Sequence, residues 1–391
     1  MRQDMRVSTY QLKQQTPMIH FQSDEEGATL RASEVKPKLD KFLLEQLGGV
    51  DTVRKENPDW FVSEDHPALN YKLRFAAKGN LEIEDPHKKL YFGNMGINEE
   101  EGNKRKTVYY QDRISMNIIC FDGKLQTEIH HFLPYFFVLH AFGTRNGKGF
   151  GCFSLENVPL DINVLKDCCP LKTFYSILYK QKKLSAESFL NDIWIISSMM
   201  KSGFNFTFLS NCPHDYYKGH IFRYFIDKGI GGDKAFIKQK VLINRHDQDA
   251  RSEEKVSYND KFRFVRAMLG LPGSYKFNPP IKTTKTTRRG EVIITSANIE
   301  RFQSPVQYRV QNNQLFIIPQ HIPKEMLMAT FYFQGQKIHT PEEFDLIDFL
   351  DSFCLRFNTR EDISKFRLSE IKKSLIIDKS LKINKIGDET K

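Results

Sequence analysis

The sequence predicts an α+β protein with antiparallel sheets, organised in two domains. Three observations point there. Ile114, Met116, Ile118 and Cys120 recur at every second residue, as one face of a strand does. Val35, Leu39, Phe42 and Leu43, and later Ile129, Phe132, Leu133, Phe136 and Phe137, recur at helical spacing. The length of 391 residues, with 40% hydrophobic residues and 32 Phe, exceeds one ordinary core and supplies enough apolar surface for two.

The elements follow in order. Residues 6–12 read as an opening strand in which Tyr10 and Leu12 alternate with polar neighbours, and Thr16-Pro17 stops it. After an acidic, Gly-containing loop at 23–27, Ser33 is placed to cap the first helix, with Pro37 confined to the first turn. Residues 51–88 have weak periodicity and read as an insertion, with a short strand candidate at 89–92 and a basic cluster at 104–106. The alternating strand then ends at Asp122-Gly123, a turn signal. Pro134 marks a kink in the second helix or a later start, and residues 150–155 read as a strand. Strand, helix, strand, strand, helix, strand is the ferredoxin-like pattern of two split strand-helix-strand units.

The second half reads similarly. Residues 173–179 are a strand, Ser185 caps a helix carrying Phe189, Leu190, Ile193 and Trp194, and 235–243 are helix or strand. Strands are expected at 292–295, 306–310, 315–318 and 329–333, and a last amphipathic helix carries Phe344, Ile347, Leu350 and Cys354. The expected division is a first domain over 1–165, a second over 171–373 with a basic surface loop at 281–290, and a flexible tail over 374–391.

A formal net charge of +10 favours polyanionic partners. The N-terminus lacks the apolar core of a signal peptide, and the apolar run 132–142 is interrupted by Pro134 and His140, so a cytoplasmic protein is expected. Cys120, Cys152, Cys168, Cys169, Cys212 and Cys354 form no C-x-x-C pair. They read as buried small hydrophobes in a reducing compartment, with no metal or cofactor implied.

Residues 141–153, AFGTRNGKGFGCF, carry Gly143, Gly147, Gly149 and Gly151. A P-loop needs Gly-x-x-x-x-Gly-Lys followed by Ser or Thr, and here the spacing is one residue short and Gly149 stands at the hydroxyl position. A Rossmann turn opens a helix after a strand, whereas this segment enters a strand after a helix. Two readings remain: a helix stop followed by a tight turn, or a loop whose backbone lies close to a polyanion while Arg145 and Lys148 meet phosphates.

TPMIHF, then GATLRASEVKPKLDKFL, the KLYFG strand, RNGKGFG after an aromatic helix and RFQSPVQYRV late in the chain together resemble the RAMP superfamily of CRISPR-associated RNA-binding proteins. The nearest resemblance is to the family of the first subunit of type III-B (Cmr) effector complexes. It implies two ferredoxin-like, RRM-type domains and a non-catalytic subunit of a ribonucleoprotein in antiviral defence. Its implied partners are guide RNA, target RNA near the guide 3′ end and other RAMP subunits. By motif, Arg31 and Ser33 would face RNA or set the helix start, with Lys36 beside them. Arg145, Gly147, Lys148 and Gly149 would line the groove, and Arg301 and Ser304 would add the second domain. Arg288 and Arg289 in the basic loop complete the expected RNA-binding set.

Each has a plainer role. Arg31 could pair with Glu25 or Glu26, Ser33 could serve only as a cap, and Ser304-Pro305 only as a strand-entry turn. Phe136 and Phe137 read as core, whereas Phe150 or Tyr109, if exposed, could stack bases. The enzymatic alternative is a RAMP-type endoribonuclease, either metal-independent through His20 or His140 or metal-dependent through Asp24 with Glu25 and Glu26.

Overall fold

The computed structural model describes residues 6–19, 29–84, 108–180, 184–206, 215–241, 261–271, 274–277, 290–359 and 380–387. The first unit runs β1 (Arg6–Gln14), α1 (Ala32–Gln46), α2 (Val50–Glu56), β2 (Tyr71–Glu84), β3 (Val108–Cys120), α3 (Gly123–Leu139) and β4 (Phe153–Leu155). Its sheet has the order β2-β3-β1-β4, antiparallel throughout. Leu12, Ile114, Met116, Ile118 and Cys120 share one core with Val35, Leu39, Phe42 and Leu43 of α1 and Ile129, Leu133, Phe136 and Phe137 of α3.

Several elements differ from expectation. Residues 51–88 are not mainly loop, because β2 is a 14-residue strand. Buried Tyr71 and Leu73 alternate there with exposed Lys72 and Arg74, and the Gly79-Asn80 breaker falls at a register shift between Lys78 and Leu81. Asp122 is a helix cap, its side chain accepting from Leu125 N, so the turn signal marks the start of α3. Pro37 and Pro134 both lie inside helices. The N-cap position of α1 is Arg31, in extended backbone, which leaves Ser33 exposed inside the first turn. The strand candidate at 89–92 and the basic cluster at 104–106 lie outside the described residues.

After α4 (Ile162–Cys168), β5 (Thr173–Leu178) and α5 (Ala186–Met200) open the second unit. Ser185 caps α5 as expected, accepting from Ser188 N. Trp194, however, is exposed, while Phe189, Leu190 and Ile193 are buried. A long excursion follows: β6 (Phe204–Phe206), β7 (Asp215–Tyr217), α6 (His220–Ile226), β8 (Gly231–Gly232), α7 (Asp233–Phe236), β9 (Phe262–Arg263), β10 (Ser274–Phe277) and β11 (Gly290–Thr295). The chain returns through β12 (Val306–Gln311), β13 (Gln314–Pro319), β14 (Thr330–Phe333), β15 (Gln336–His339), α8 (Leu346–Thr359) and β16 (Asn384–Gly387). Phe344 precedes α8 and stacks on Phe225 of α6.

One antiparallel sheet here has the order β12-β13-β5-β16. Setting the excursion and the β14–β15 hairpin aside, β5, α5, β12, β13, α8 and β16 repeat both the element order and the strand order of the first unit. A separate sheet, β10-β11-β14-β15-β9-β8, covers its own core around Phe264, Phe331 and Phe333. The expected tail over 374–391 therefore contains the fourth strand of the second sheet. Leu381 and Ile383, at alternate positions just before it, are 5% and 2% exposed, and Thr173 donates to the Ile386 carbonyl.

The second sheet is buried on both faces. Tyr175, Ile177, Tyr308, Leu315 and Ile317 join α5, α6 and α8, whereas Phe174, Phe316 and Ile318 join the first unit's core beside Leu165, Cys168 and Cys169. The five cysteines among the described residues are buried and free. Among those residues no helix is long and apolar enough to cross a membrane.

Candidate nucleic-acid interface

The glycine segment is knitted into its surroundings by the other motifs. His140 ends α3 in extended backbone. Phe142 N then donates to Gly151 O at 3.0 Å, Gly151 N to Pro17 O at 2.9 Å and Thr144 N to Ile19 O at 2.8 Å. The Thr16 hydroxyl donates to Gly149 O at 2.6 Å and accepts from Cys152 N at 3.0 Å. From α1, the Glu34 carboxylate accepts from Gly143 N at 2.9 Å. The Thr-Pro turn, the start of α1 and the glycine loop are thus one hydrogen-bonded unit.

Two glycines are required by that packing. Gly151 has φ 66°, and a Cβ there would sit 1.9 Å from Phe142 O; Gly149 has φ 83°, and its Cβ would meet Ile193 Cδ1 at 2.3 Å. Gly149 is therefore pressed against α5 of the second unit rather than open to a polyanion. Phe150 is 5% exposed and belongs to the second unit's core with Ile19, Ala141 and Cys152, so it offers no stacking platform. Phe136 and Phe137 are core, as expected. Tyr109 carries no described side chain.

The second unit grips the loop through β12. Tyr308 N donates to Gly147 O at 3.2 Å. The Arg309 guanidinium donates to Leu139 O at 2.9 Å, to Asn146 O at 2.8 Å, to Tyr308 O at 2.8 Å and to the Gln307 side chain. It is 4% exposed, and burial lowers its pKa to about 10, which leaves it a cation at neutral pH. Sequence reasoning placed Arg309 only within a strand. The signal was a charged residue inside an apolar strand, Tyr308, Arg309 and Val310 all being buried.

Around this joint stand further cations. Arg145 adopts φ 58° at the loop tip, half-buried, and desolvation lowers its pKa. The Lys148 ammonium lies 5.5 Å from the Tyr308 ring centroid. Desolvation and then Arg145 lower its pKa to about 8; since much of the side chain is exposed, water tempers that shift and the group stays protonated at neutral pH. Lys201, at the C-terminal end of α5, donates to Gly270 O at 2.6 Å and Leu269 O at 3.3 Å. Desolvation and then Lys148 lower its pKa to about 7.

The structure brings Arg145, Gly147, Lys148 and Gly149 together with the late RFQSPV segment. A Cβ on Gly147 would lie 2.9 Å from Gln303 Nε2, and one on Gly270 would lie 3.0 Å from Ser304 N. Ser304 itself makes the strand-entry turn, its hydroxyl donating to Val306 O and accepting from Val306 N. Arg301 is exposed, and Arg31 is half-buried at the start of α1. Lys36 does not join the set: its ammonium is held by Asp40 at 2.7 Å and Leu69 O at 2.9 Å, over the Tyr71 ring. Arg288 and Arg289 lie outside the described residues.

His140 is placed for packing. Its ring stacks on Phe136 with centroids 4.6 Å apart, meets Phe42 edge-on, and bonds Phe136 O through Nδ1. Burial, reinforced by Arg309, lowers its pKa to about 3 and keeps it neutral at working pH. His20, Asp24, Glu25 and Glu26 lie outside the described residues. Among those described, no group of three His, Cys, Asp or Glu side chains could hold a metal ion.

Comparison with known proteins divides the chain after α5, inside the second unit. Residues 5–204 match the Cmr1 N-terminal domain family and residues 216–378 the Cmr1 C-terminal domain family. No curated protein matches the chain in sequence. Among solved structures, apo Cmr1 from Pyrococcus furiosus is similar at 10% identity and TM-score 0.40, over 82% of this chain and 90% of that one. A chain of the type III-B Cmr-beta complex bound to cognate target RNA and AMPPnP, in the presence of ssDNA, is similar at 11% identity and TM-score 0.35, over 85% and 96%. A chain of Cmr-beta bound to cognate target RNA has 14% identity and TM-score 0.28, over 40% of this chain and 60% of that one, so this chain spans about three-fifths of its length. With family matches extending over both halves, the chain belongs to the Cmr1 family, whose RAMP character its own motifs resemble.

Proposed function

We propose that this chain is a non-catalytic RNA-binding subunit of a type III-B (Cmr) CRISPR effector complex, contacting guide RNA and target RNA near the guide 3′ end beside other RAMP subunits. Its two repeated units are read as ferredoxin-like domains, the second extending to residue 387 and interrupted by the excursion at 201–305. Family membership supports the complex. The observation that carries RNA binding is the meeting of cations from both units at one joint: Arg145 and Lys148 on the glycine loop and Lys201 from the second unit, with the buried Arg309 bracing the loop. Phosphate contacts through such cations position a strand without reading its bases. Arg31 and Arg301 extend the same surface in this reading, and Gly147 lies beneath Gln303 as part of its scaffold.

The test is binding of single-stranded RNA across a salt series. Replacing Arg145 and Lys148 together by Ala is expected to weaken binding and flatten the log–log salt slope by about two units; unchanged binding rejects the loop assignment. The same RNA, end-labelled and incubated with and without Mg2+, is expected to stay intact. Cleavage that His20→Ala or Asp24→Ala abolishes would replace the binding subunit with an endoribonuclease.

A further inference from the structure

We propose that Lys148 and Lys201 are the two walls of a single phosphate-binding site at the joint between the two repeated units. It rests on the RNA-binding reading and sharpens it, assigning to this point one backbone phosphate of the bound strand.

The geometry points there from both sides. Lys148 comes from the glycine loop of the first unit and Lys201 from the end of α5 in the second. Tyr308 spans the space between them: its ring lies 5.5 Å from the Lys148 ammonium, and its hydroxyl meets Met200 Sδ at 3.6 Å, one residue before Lys201. Gly270, whose carbonyl accepts from Lys201, has φ 101° and packs against Ser304. Lys201 donates to Gly270 O and Leu269 O, which occupies two of the three N–H groups of an ammonium.

Among the described residues no carboxylate lies within ion-pair distance of either lysine. Asp233, the acidic group that acts on Lys201, is engaged 2.6 Å away by Arg266. A cation at the end of a helix is ordinarily explained by the helix dipole. A second cation close enough to act on it is not, since like charges brought together oppose folding. Desolvation and then Lys148 lower the pKa of Lys201 to about 7, while desolvation and then Arg145 lower that of Lys148. Perturbed titratable groups of this kind concentrate where a ligand is received. An anion carrying several acceptor oxygens would relieve the repulsion and take the remaining N–H of Lys201, tying the two units together as it binds.

The test uses the full chain. Thermal unfolding is followed in sodium phosphate and in sodium chloride at equal ionic strength, and binding of a single-stranded RNA oligonucleotide is measured across a salt series. The wild type is expected to gain Tm in phosphate relative to chloride. K201M is expected to lose that gain and to bind RNA with a salt slope reduced by about one unit. K201R is expected to retain the phosphate response. Should K201M fail to fold, K148M, on the exposed side, carries the same comparison. No phosphate gain in the wild type, or an equal gain in K201M and K148M, overturns the site. RNA binding whose slope is untouched by K201M rejects the site and leaves the proposed function standing. A Lys201-dependent phosphate response in a chain that binds no RNA does the reverse.

Discussion

The guanidinium of Arg309 donates at 2.8 Å to the carbonyl of Asn146, so a buried cation of the second unit holds the glycine loop of the first. The same side chain satisfies Leu139 O at the end of α3. In R309M both carbonyls lose their donor, at about 1–3 kcal/mol for each buried group left unsatisfied. Urea unfolding is expected to show a loss of roughly 3 kcal/mol or more, and limited proteolysis should become faster within 141–153. Unchanged stability would show that the two units do not depend on this contact.

Gly151 offers a sharper steric test. A Cβ 1.9 Å from Phe142 O, on a residue at φ 66°, cannot be accommodated by moving a flexible side chain. G151A is expected to be recovered mainly insoluble, or with a Tm far below wild type, whereas G335A, where nothing lies within 4 Å, carries only the backbone strain of φ 85°.

Lys36 separates structure from binding. Its removal in K36M leaves the largely buried Asp40 carboxylate without its cation. A loss of about 1–3 kcal/mol is expected in chemical denaturation, with the RNA salt slope unchanged. A slope lowered by one unit would return Lys36 to the interface.

Two groups, His140 and Asp192, give the stability curve opposite slopes. His140 has a folded pKa of about 3 against an ordinary 6.5, so the unfolded chain binds more protons between these values and stability falls as pH drops through that window. Asp192, 1% exposed and hydrogen-bonded by the Tyr179 hydroxyl, is raised by burial to about 6 from 3.8. In that case the folded chain binds more protons, so stability falls as pH rises from about 4 to 6 and the deficit persists above. H140F is expected to flatten the acid limb. The gain in Tm from D192N should grow between pH 4 and 6 and level off beyond, and a pH-independent gain would assign it to packing instead.

The sequence made some of this legible and hid the rest for physical reasons. Ile114 to Cys120 alternates without interruption and is strand, and the spacing of Phe136 and Phe137 correctly made them core. The strand β2 was hidden because Ala76, Ala77 and the Gly79-Asn80 bulge dilute its alternation, and β16 because Asn384 and Lys385 leave it little apolar character. In the candidate site, the cations Arg145 and Lys148 were legible from charge and spacing. Their scaffold was not, since Thr16 meets Gly149 across 133 residues and Arg309 meets Asn146 across 163. Pairings at that separation leave no local pattern, and the glycines that looked open to a partner are packed against Ile193 and Phe142.

The placement of β16 also sets an order of events during synthesis. The first sheet has all four strands once residue 155 is made. In the second, β5 waits for a partner whose Ile386 carbonyl meets Thr173 across 213 residues. Closing so long a loop is entropically slow, and until it closes one edge of β5 is unpaired. On the ribosome the first unit can therefore be finished while the second still lacks an edge strand, which makes the nascent second unit the natural client for a chaperone.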